Sequence, residues 1–507
     1  MFRAIASVGG LTALSRVTGF VRDIVIAATL GNSMMADAFV VAQRLPNHFR
    51  AIFGEGAFNS AFVPTYAGTL EKRDTPRAQI FAGRVLTLMA LVTGIFSVFA
   101  IIFMPLMVDL LAPGFRNDPA KFELTVALTR IAFPYLFFIV LVTLISGVLN
   151  AHKRFAAAAF APVLLNLSVI AALAVSYLFP NAAYAAAFGV LAAGILEFLL
   201  VAFDAKWSGI LPKPSKIIFD AETKLFLKTL GPAIIGSAGV QIAMFADTII
   251  ASMLPTGAVA SLYYADRLYQ LPVGMIGLAA GTVLLPTMSK HVAAGRFIEA
   301  HHQQNRAILL TLALSVPFFV GFMTIPTEIM KALFARGAFT DAAAREAGAV
   351  LAAYGVGLLA IVLIRPAVAS FYARNDTTTP LIASFAGIGV NVVLKILLFR
   401  SEGAPGLAFA TATGAWINLI LLVLMAHRRV WMDFDANLAR GVAAMAVAAL
   451  PLAALLVFGT DIANTYTRML SSLWQAPAAL ALLGAAGALI YFSLLAGGVK
   501  LLRVRLR

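Results

Sequence analysis

A chain of 507 residues that is 61% hydrophobic and only 12% charged is too apolar for a soluble globular protein, in which about a quarter of residues are charged. The formal charge of +15 falls mostly in short connections between apolar runs, which marks membrane orientation rather than a nucleic-acid partner. The absence of cysteine excludes disulfides, zinc–thiolate sites and iron–sulfur clusters.

Apolar runs long enough to cross about 30 Å of hydrocarbon as helices recur along the chain, without the period-two alternation of a β-barrel. They predict an all-α polytopic membrane protein with fourteen transmembrane helices. The segments fall at approximately 5–30, 34–68, 78–112, 122–150, 157–180, 183–204, 223–254, 258–290, 300–333, 344–372, 379–400, 404–427, 438–460 and 474–498. Pro46, Pro105 and Pro272 are the expected kinks.

The first segment carries Ser15, Arg16, Arg22 and Asp23, and the second carries Asp37, Arg44, Arg50 and Glu55. A charge at membrane depth costs on the order of 3 kcal/mol even on a mild insertion scale. These arginines must therefore line water or meet anions, and a basic cavity in a bilayer implies an anionic cargo. Planar guanidinium forks suit phosphate oxygens, which they bind bidentately.

Connections alternate in charge. Lys72 and Arg77, Lys153 and Arg154, Lys206, Lys213 and Lys216, Lys290 and Arg296, Arg374, Arg428 and Arg429, and Lys500 and Arg503 fall on one side. The other side is nearly bare or mixes signs, as in Arg116, Asp118, Lys121 and Glu123. The positive-inside bias predicts that both termini are cytoplasmic, and the basic rim suits anionic phospholipid headgroups.

The chain resembles itself at a shift of about 222 residues: Ala42–Leu45 matches Ala265–Leu268, Phe62–Thr65 matches Leu284–Thr287, and Asn150–His152 matches Tyr372–Arg374. Six helices separate the copies, so the repeat is parallel, with a pseudo-two-fold axis along the membrane normal. The predicted organisation is an N-terminal lobe (1–207, helices one to six), a cytoplasmic linker (208–222), a C-terminal lobe (223–430, helices seven to twelve) and two extra helices (431–507). Two six-helix lobes about a central site suit alternating access. Each copy places an arginine, Arg44 or Arg267, on the corresponding helix.

Several segments carry a family resemblance: Ser15–Asp23 (SRVTGFVRD), Asp37–Phe39 (DAF), Arg44–Asn47 (RLPN), Phe53–Pro64 (FGEGAFNSAFVP), Tyr263–Leu268 (YYADRL), Leu284–Ser289 (LLPTMS) and Phe371–Arg374 (FYAR). Together they resemble the MurJ (MviN) family of lipid II flippases, within the multidrug/oligosaccharidyl-lipid/polysaccharide exporter superfamily. The resemblance implies a transporter of peptidoglycan precursor in the bacterial cytoplasmic membrane, with lipid II as partner and moved from the inner to the outer leaflet. It also implies the two-lobe fold, function as a monomer, and a surface for the polyprenyl tail on the last two helices.

Arg16, Arg22 and Arg267 are expected to clamp the diphosphate, with Arg50 near the entrance. Asp23, Asp37 and Glu55 are expected to pair with arginines so that the clamp releases and resets. Ser15, Arg44, Arg365 and Arg374 are secondary candidates for the same site. In the second lobe, Lys395 lies one turn after Asn391, on a helix where the resemblance implies that some family members bind sodium with polar residues. Its ammonium is expected to pair with Asp247 and replace the ion. No phosphate-binding loop for a nucleotide and no nucleophile–base arrangement is present, so the reading is a transporter, not an enzyme, with no cofactor and no metal. A flippase for another diphosphate-linked glycan and a cation-coupled drug exporter of the same superfamily are the alternatives. The drug exporter fits less well because its cavity should be acidic or aromatic.

Overall fold

In the computed structural model the backbone is described for residues 2–53, 56–72 and 74–504, and side chains over the same ranges apart from 2–7, 52, 53, 56, 57, 235–240, 242, 243 and 277–283. Among the described residues there are helices and no strands. In chain order these are α1 (Phe2–Leu30), α2 (Met34–Phe53), α3 (Gly56–Glu71), α4 (Thr75–Ile102), α5 (Met104–Leu111), α6 (Pro119–Ala132), α7 (Tyr135–Ala151), α8 (Ala156–Ala174) and α9 (Ala182–Trp207). Then come α10 (Ala221–Ser252), α11 (Ala258–Ala293), α12 (Phe297–Thr324), α13 (Pro326–Phe334), α14 (Asp341–Tyr372), α15 (Thr378–Leu398), α16 (Gly403–Arg428), α17 (Ala436–Thr467) and α18 (Ser472–Leu501).

All fourteen expected segments are helical, and several are built from two helices. Ten stretches among the described residues are long and apolar enough to cross a membrane. The chain is a multi-pass membrane protein. Large apolar side chains such as Ile95, Leu450 and Phe458 point outward, an arrangement that only a hydrocarbon surrounding stabilises.

Local chemistry sets the ends of the helices. Asp74, Asp118, Asn181, Asp220, Thr340 and Asp435 each accept a backbone N–H of the turn that follows, supplying the partner that an exposed helix start lacks. Pro105 sits in the first turn of α5, directly after the break at Phe103, because proline lacks the N–H that a continuous helix needs. Pro46 and Pro272 lie inside α2 and α11. Pro134 separates α6 from α7 in the same manner as Pro105.

The internal repeat is visible in the element boundaries. α4 and α12 are each 28 residues long, and Thr75 to Phe297 is a shift of 222. Asp118 and Thr340, the caps of α6 and α14, are also 222 apart. So are Lys153 and Asn375, both left-handed at φ 61° and 60°. At each site a backbone N–H reaches back five residues, from Arg154 to Leu149 and from Asp376 to Phe371, the bond that closes a helix C-terminus.

The chain forms two compact units, Met1–Ala260 and Ser261–Arg507. The boundary between these units lies inside α11, and α10 packs against α2 and α3. In the first unit α8 packs on α1 and α9, α7 on α9, and α2 on α6. In the second, α16 packs on α14 and α15, with Gly387 and Gly414 at the α15–α16 crossing. A Cβ on Gly387 would lie 2.6 Å from the Gly414 carbonyl oxygen, so small residues set how closely these helices approach. α17 and α18 pair with each other and lie on α12 and α13, through a core that includes Leu309, Leu438, Leu452, Leu456, Leu483 and Tyr491.

Candidate functional site

The intramembrane charges of the first unit fall into three groups, set out along α1 and two faces of α2. On α1, Ser15, Thr18, Gly19 and Arg22 share one stripe, and that stripe faces Asn166 of α8. The Asn166 amide donates to the Ser15 carbonyl at 3.0 Å and to the Thr18 hydroxyl at 3.1 Å, and its oxygen accepts Arg22 Nη1 at 3.0 Å. Asp23 Oδ1 accepts Arg22 Nε at 3.1 Å and Nη2 at 2.8 Å. Both residues are buried. The guanidinium is therefore fixed by a carboxylate on its own helix and an amide on α8. Arg16 lies off this stripe, about 120° around the helix and roughly 9 Å along it from Arg22, and is exposed.

On α2, Asp37, Arg44 and His48 follow the i, i+7, i+11 spacing of one helix face. Their partners run in order from the start of α11 back into α10. Asp37 Oδ2 accepts the Gly257 amide at 2.8 Å and Oδ1 accepts the Ala260 amide at 2.8 Å, so Asp37 supplies partners for the first turn of α11. Arg44 donates to the Thr248 hydroxyl at 3.2 Å. His48 Nδ1 lies 3.0 Å from Gln241 Oε1, and its ring lies 4.6 Å from that of Phe245. Arg44 and Asp247 are the charged neighbours of His48.

Asp37 differs from expectation. Its charged partner is a lysine and not an arginine: Lys121 Nζ donates to Oδ2 at 2.6 Å. Lys121, read from sequence as part of a connection, lies in the first turn of α6 and is 3% exposed. Its ammonium also reaches Thr256 and lies 4.1 Å from the centre of the Phe115 ring. Asp37 has no exposed surface, and an acid at that depth takes whichever cation the fold brings beside it.

Arg50, six residues after Arg44, points to a different face. Its electrostatic partner is Glu197 of α9, an acid 1% exposed and hydrogen-bonded by the side chain of Tyr135. Glu55 lies outside the described residues.

In the second unit, the Arg267 guanidinium lies 4.7 Å from the centre of the Tyr263 ring, one turn earlier on α11. Arg365 is exposed on α14. Arg374 donates to the Ser370 carbonyl at 2.8 Å and stacks near Trp431 at 5.1 Å. Lys395 is buried on α15, and the Asn391 side-chain oxygen accepts the Thr411 hydroxyl at 3.5 Å. Asp247 belongs to the first unit and Lys395 to the second.

The structure thus brings together Ser15, Arg22 and Asp23, and it places Asp37, Arg44 and Asp247 along one α2–α10–α11 seam. Sequence reasoning missed Asn166, Lys121, His48 and Glu197. Among the described residues no group of three or more His, Asp or Glu is arranged to hold a metal ion.

The profile of the family described as Lipid II flippase MurJ matches residues 26–476. The chain belongs to the MurJ family. A probable lipid II flippase MurJ of Rhizobium meliloti is 39% identical over 466 residues, covering 91% of this chain and 87% of that protein. Among solved structures, a lipid II flippase MurJ in an inward closed conformation superposes with a TM-score of 0.76 at 25% identity, covering 96% of this chain and 98% of the other. An inward-facing multidrug resistance MATE transporter shares the fold at TM-score 0.68 and 16% identity, over 82% of this chain and 94% of that one. MurJ membership makes the chain a transporter and not an enzyme.

Proposed function

We propose that this chain moves lipid II, an undecaprenyl-diphosphate-linked glycopeptide, from the inner to the outer leaflet of the bacterial cytoplasmic membrane by alternating access. The observation that carries the reading is MurJ membership over residues 26–476, joined to a buried Arg22 that is oriented before any cargo arrives. Arg16, Arg22 and Arg267 bind the diphosphate and Arg50 receives it. Phosphate oxygens compete with Asp23 for the Arg22 guanidinium, and the return of Asp23 helps release the cargo. Such exchange keeps the Arg22 guanidinium in charge-assisted bonds in both states.

The chain acts as a monomer with both termini in the cytoplasm, and the polyprenyl tail lies along α17 and α18. Lys395 supplies a fixed positive charge where a sodium ion would otherwise sit near Asn391 and Asp247, so transport is independent of sodium. An unloaded cationic cavity is drawn toward the negative interior, and one charge crossing the whole field is worth about 2.3 kcal/mol per 100 mV. Collapsing the potential at fixed ion gradients therefore slows transport.

The deciding experiment is complementation of a bacterium depleted of its lipid II flippase, by this chain and by Arg16→Ala, Arg22→Ala and Arg267→Ala. Each alanine variant should fail at normal protein level. Lysine at the same positions separates the need for charge from the need for a planar fork. Growth with all three alanine variants would overturn the proposed clamp.

A further inference from the structure

Apart from the charged seams, the first unit contains an open groove of about 870 Å³ at the ends of α1, α8 and α9, within the size range of small-molecule sites. Its polar lining is Lys153, Arg154 and Asp204, and its apolar wall includes Phe160, Phe203 and Trp207. Phe203 is 65% exposed and Trp207 is 80% exposed, although both continue a membrane-spanning helix. A tryptophan at the end of such a helix sits at headgroup level, with apolar side chains below it facing acyl chains.

The charges in the groove are uneven. Arg154 is held by Asp204, which leaves Lys153 as the groove's cation with no ion-pair partner among the described residues. Its backbone is left-handed at φ 61°, a conformation that costs a lysine roughly 1 kcal/mol and costs glycine or asparagine little. The repeat-equivalent position is Asn375, a residue suited to that conformation. The first copy therefore keeps a cation at a backbone cost that the second copy avoids.

We propose that this groove binds an anionic phospholipid from the basic-side leaflet, its phosphate on Lys153 beside Arg154 and an acyl chain along Phe203 and Phe160. One uncompensated cation matches a monoanionic phosphodiester. A diphosphate would bring two or more negative charges against Asp204, which makes the transported lipid the poorer occupant. A soluble anion would gain nothing from the aromatic wall.

The test is native mass spectrometry of the full chain released from nanodiscs of phosphatidylglycerol or phosphatidylcholine, with Lys153→Asn and Trp207→Ala as variants. Lys153→Asn removes the charge and suits the left-handed backbone, so folding is preserved. The wild type should retain phosphatidylglycerol over phosphatidylcholine. Lys153→Asn should lower that retention about fivefold, the order expected for one cation near a charged leaflet, and Trp207→Ala should lower retention of the same lipid. Unchanged retention in Lys153→Asn, or equal retention of both lipids by the wild type, overturns the proposal. Displacement of the bound lipid by lipid II in the wild type, lost in Lys153→Asn, would assign the groove to the substrate and overturn it as well.

Discussion

Lys121 and Asp37 form an ion pair at 2.6 Å with both side chains almost wholly removed from solvent, and the same carboxylate holds the amides of Gly257 and Ala260 at the start of α11. One acid thus joins α2, α6 and the first turn of the helix that carries Arg267. Removing one member of a buried pair strands the other charge, at a cost of about 3–5 kcal/mol, whereas removing both costs less. Lys121→Met should lower the unfolding temperature in detergent well below that of the double variant Asp37→Asn/Lys121→Met. A single variant no less stable than the double one would show that the pair is not what holds the start of α11.

Asn166 is expected to act through Arg22. It uses its amide to bind α1 at Ser15 and Thr18 and its oxygen to orient the guanidinium. A hydrogen bond to a charged group is worth about 1.5–3 kcal/mol. Asn166→Ala should therefore lower lipid II flipping in proteoliposomes at least tenfold, at equal protein amount, while leaving helix content by circular dichroism unchanged. Asn166→Asp should fail differently, by trapping Arg22 between two carboxylates and weakening binding of the anionic cargo. Wild-type flipping by both variants would remove Asn166 from the site.

Acid should loosen the second unit at a defined place. Asp376, in the connection between α14 and α15, accepts the Thr379 amide at 2.9 Å and hydroxyl at 2.7 Å, and Arg429 at 2.6 Å. The Thr379 amide and hydroxyl hold its carboxyl below the ordinary value of 3.8; burial opposes them, and Arg429 adds to the lowering. A depressed folded value means stabilisation that is fully present above pH 3.8 and lost as pH falls through the lower folded value. Thermal unfolding measured from pH 6 downward should show this loss in the wild type, and Asp376→Asn should flatten it. An identical acid dependence in the two proteins would exclude Asp376 as its source.

The helices were legible in sequence because apolar length is decisive in hydrocarbon, and the repeat was legible because its offset is nearly constant. The break at Pro105 followed from proline chemistry, and the same reasoning applied to Pro134 would have found the α6–α7 break. The site was less legible, for a physical reason. Arginines announce themselves in apolar segments, but the groups that position them are small and neutral or placed near a connection. Asn166 and Glu197 each stand within a largely apolar stretch of helix, and that was the available signal. Lys121 gave no such signal, since its burial depends on Asp37, which lies 84 residues earlier. Nor did periodicity indicate that α10 packs with the first unit, because a helix's apolar faces do not name their partner.

The two copies of the repeat close the same helix ends with bridges of opposite sense. In the first, Arg154 after α7 meets Asp204 of α9; in the second, Asp376 after α14 meets Arg429 after α16. Exchanging one of these elements between the copies would set like against like. Each half's bridge therefore favours its own segments over those of its twin, by the about 0–1 kcal/mol that an exposed ion pair supplies.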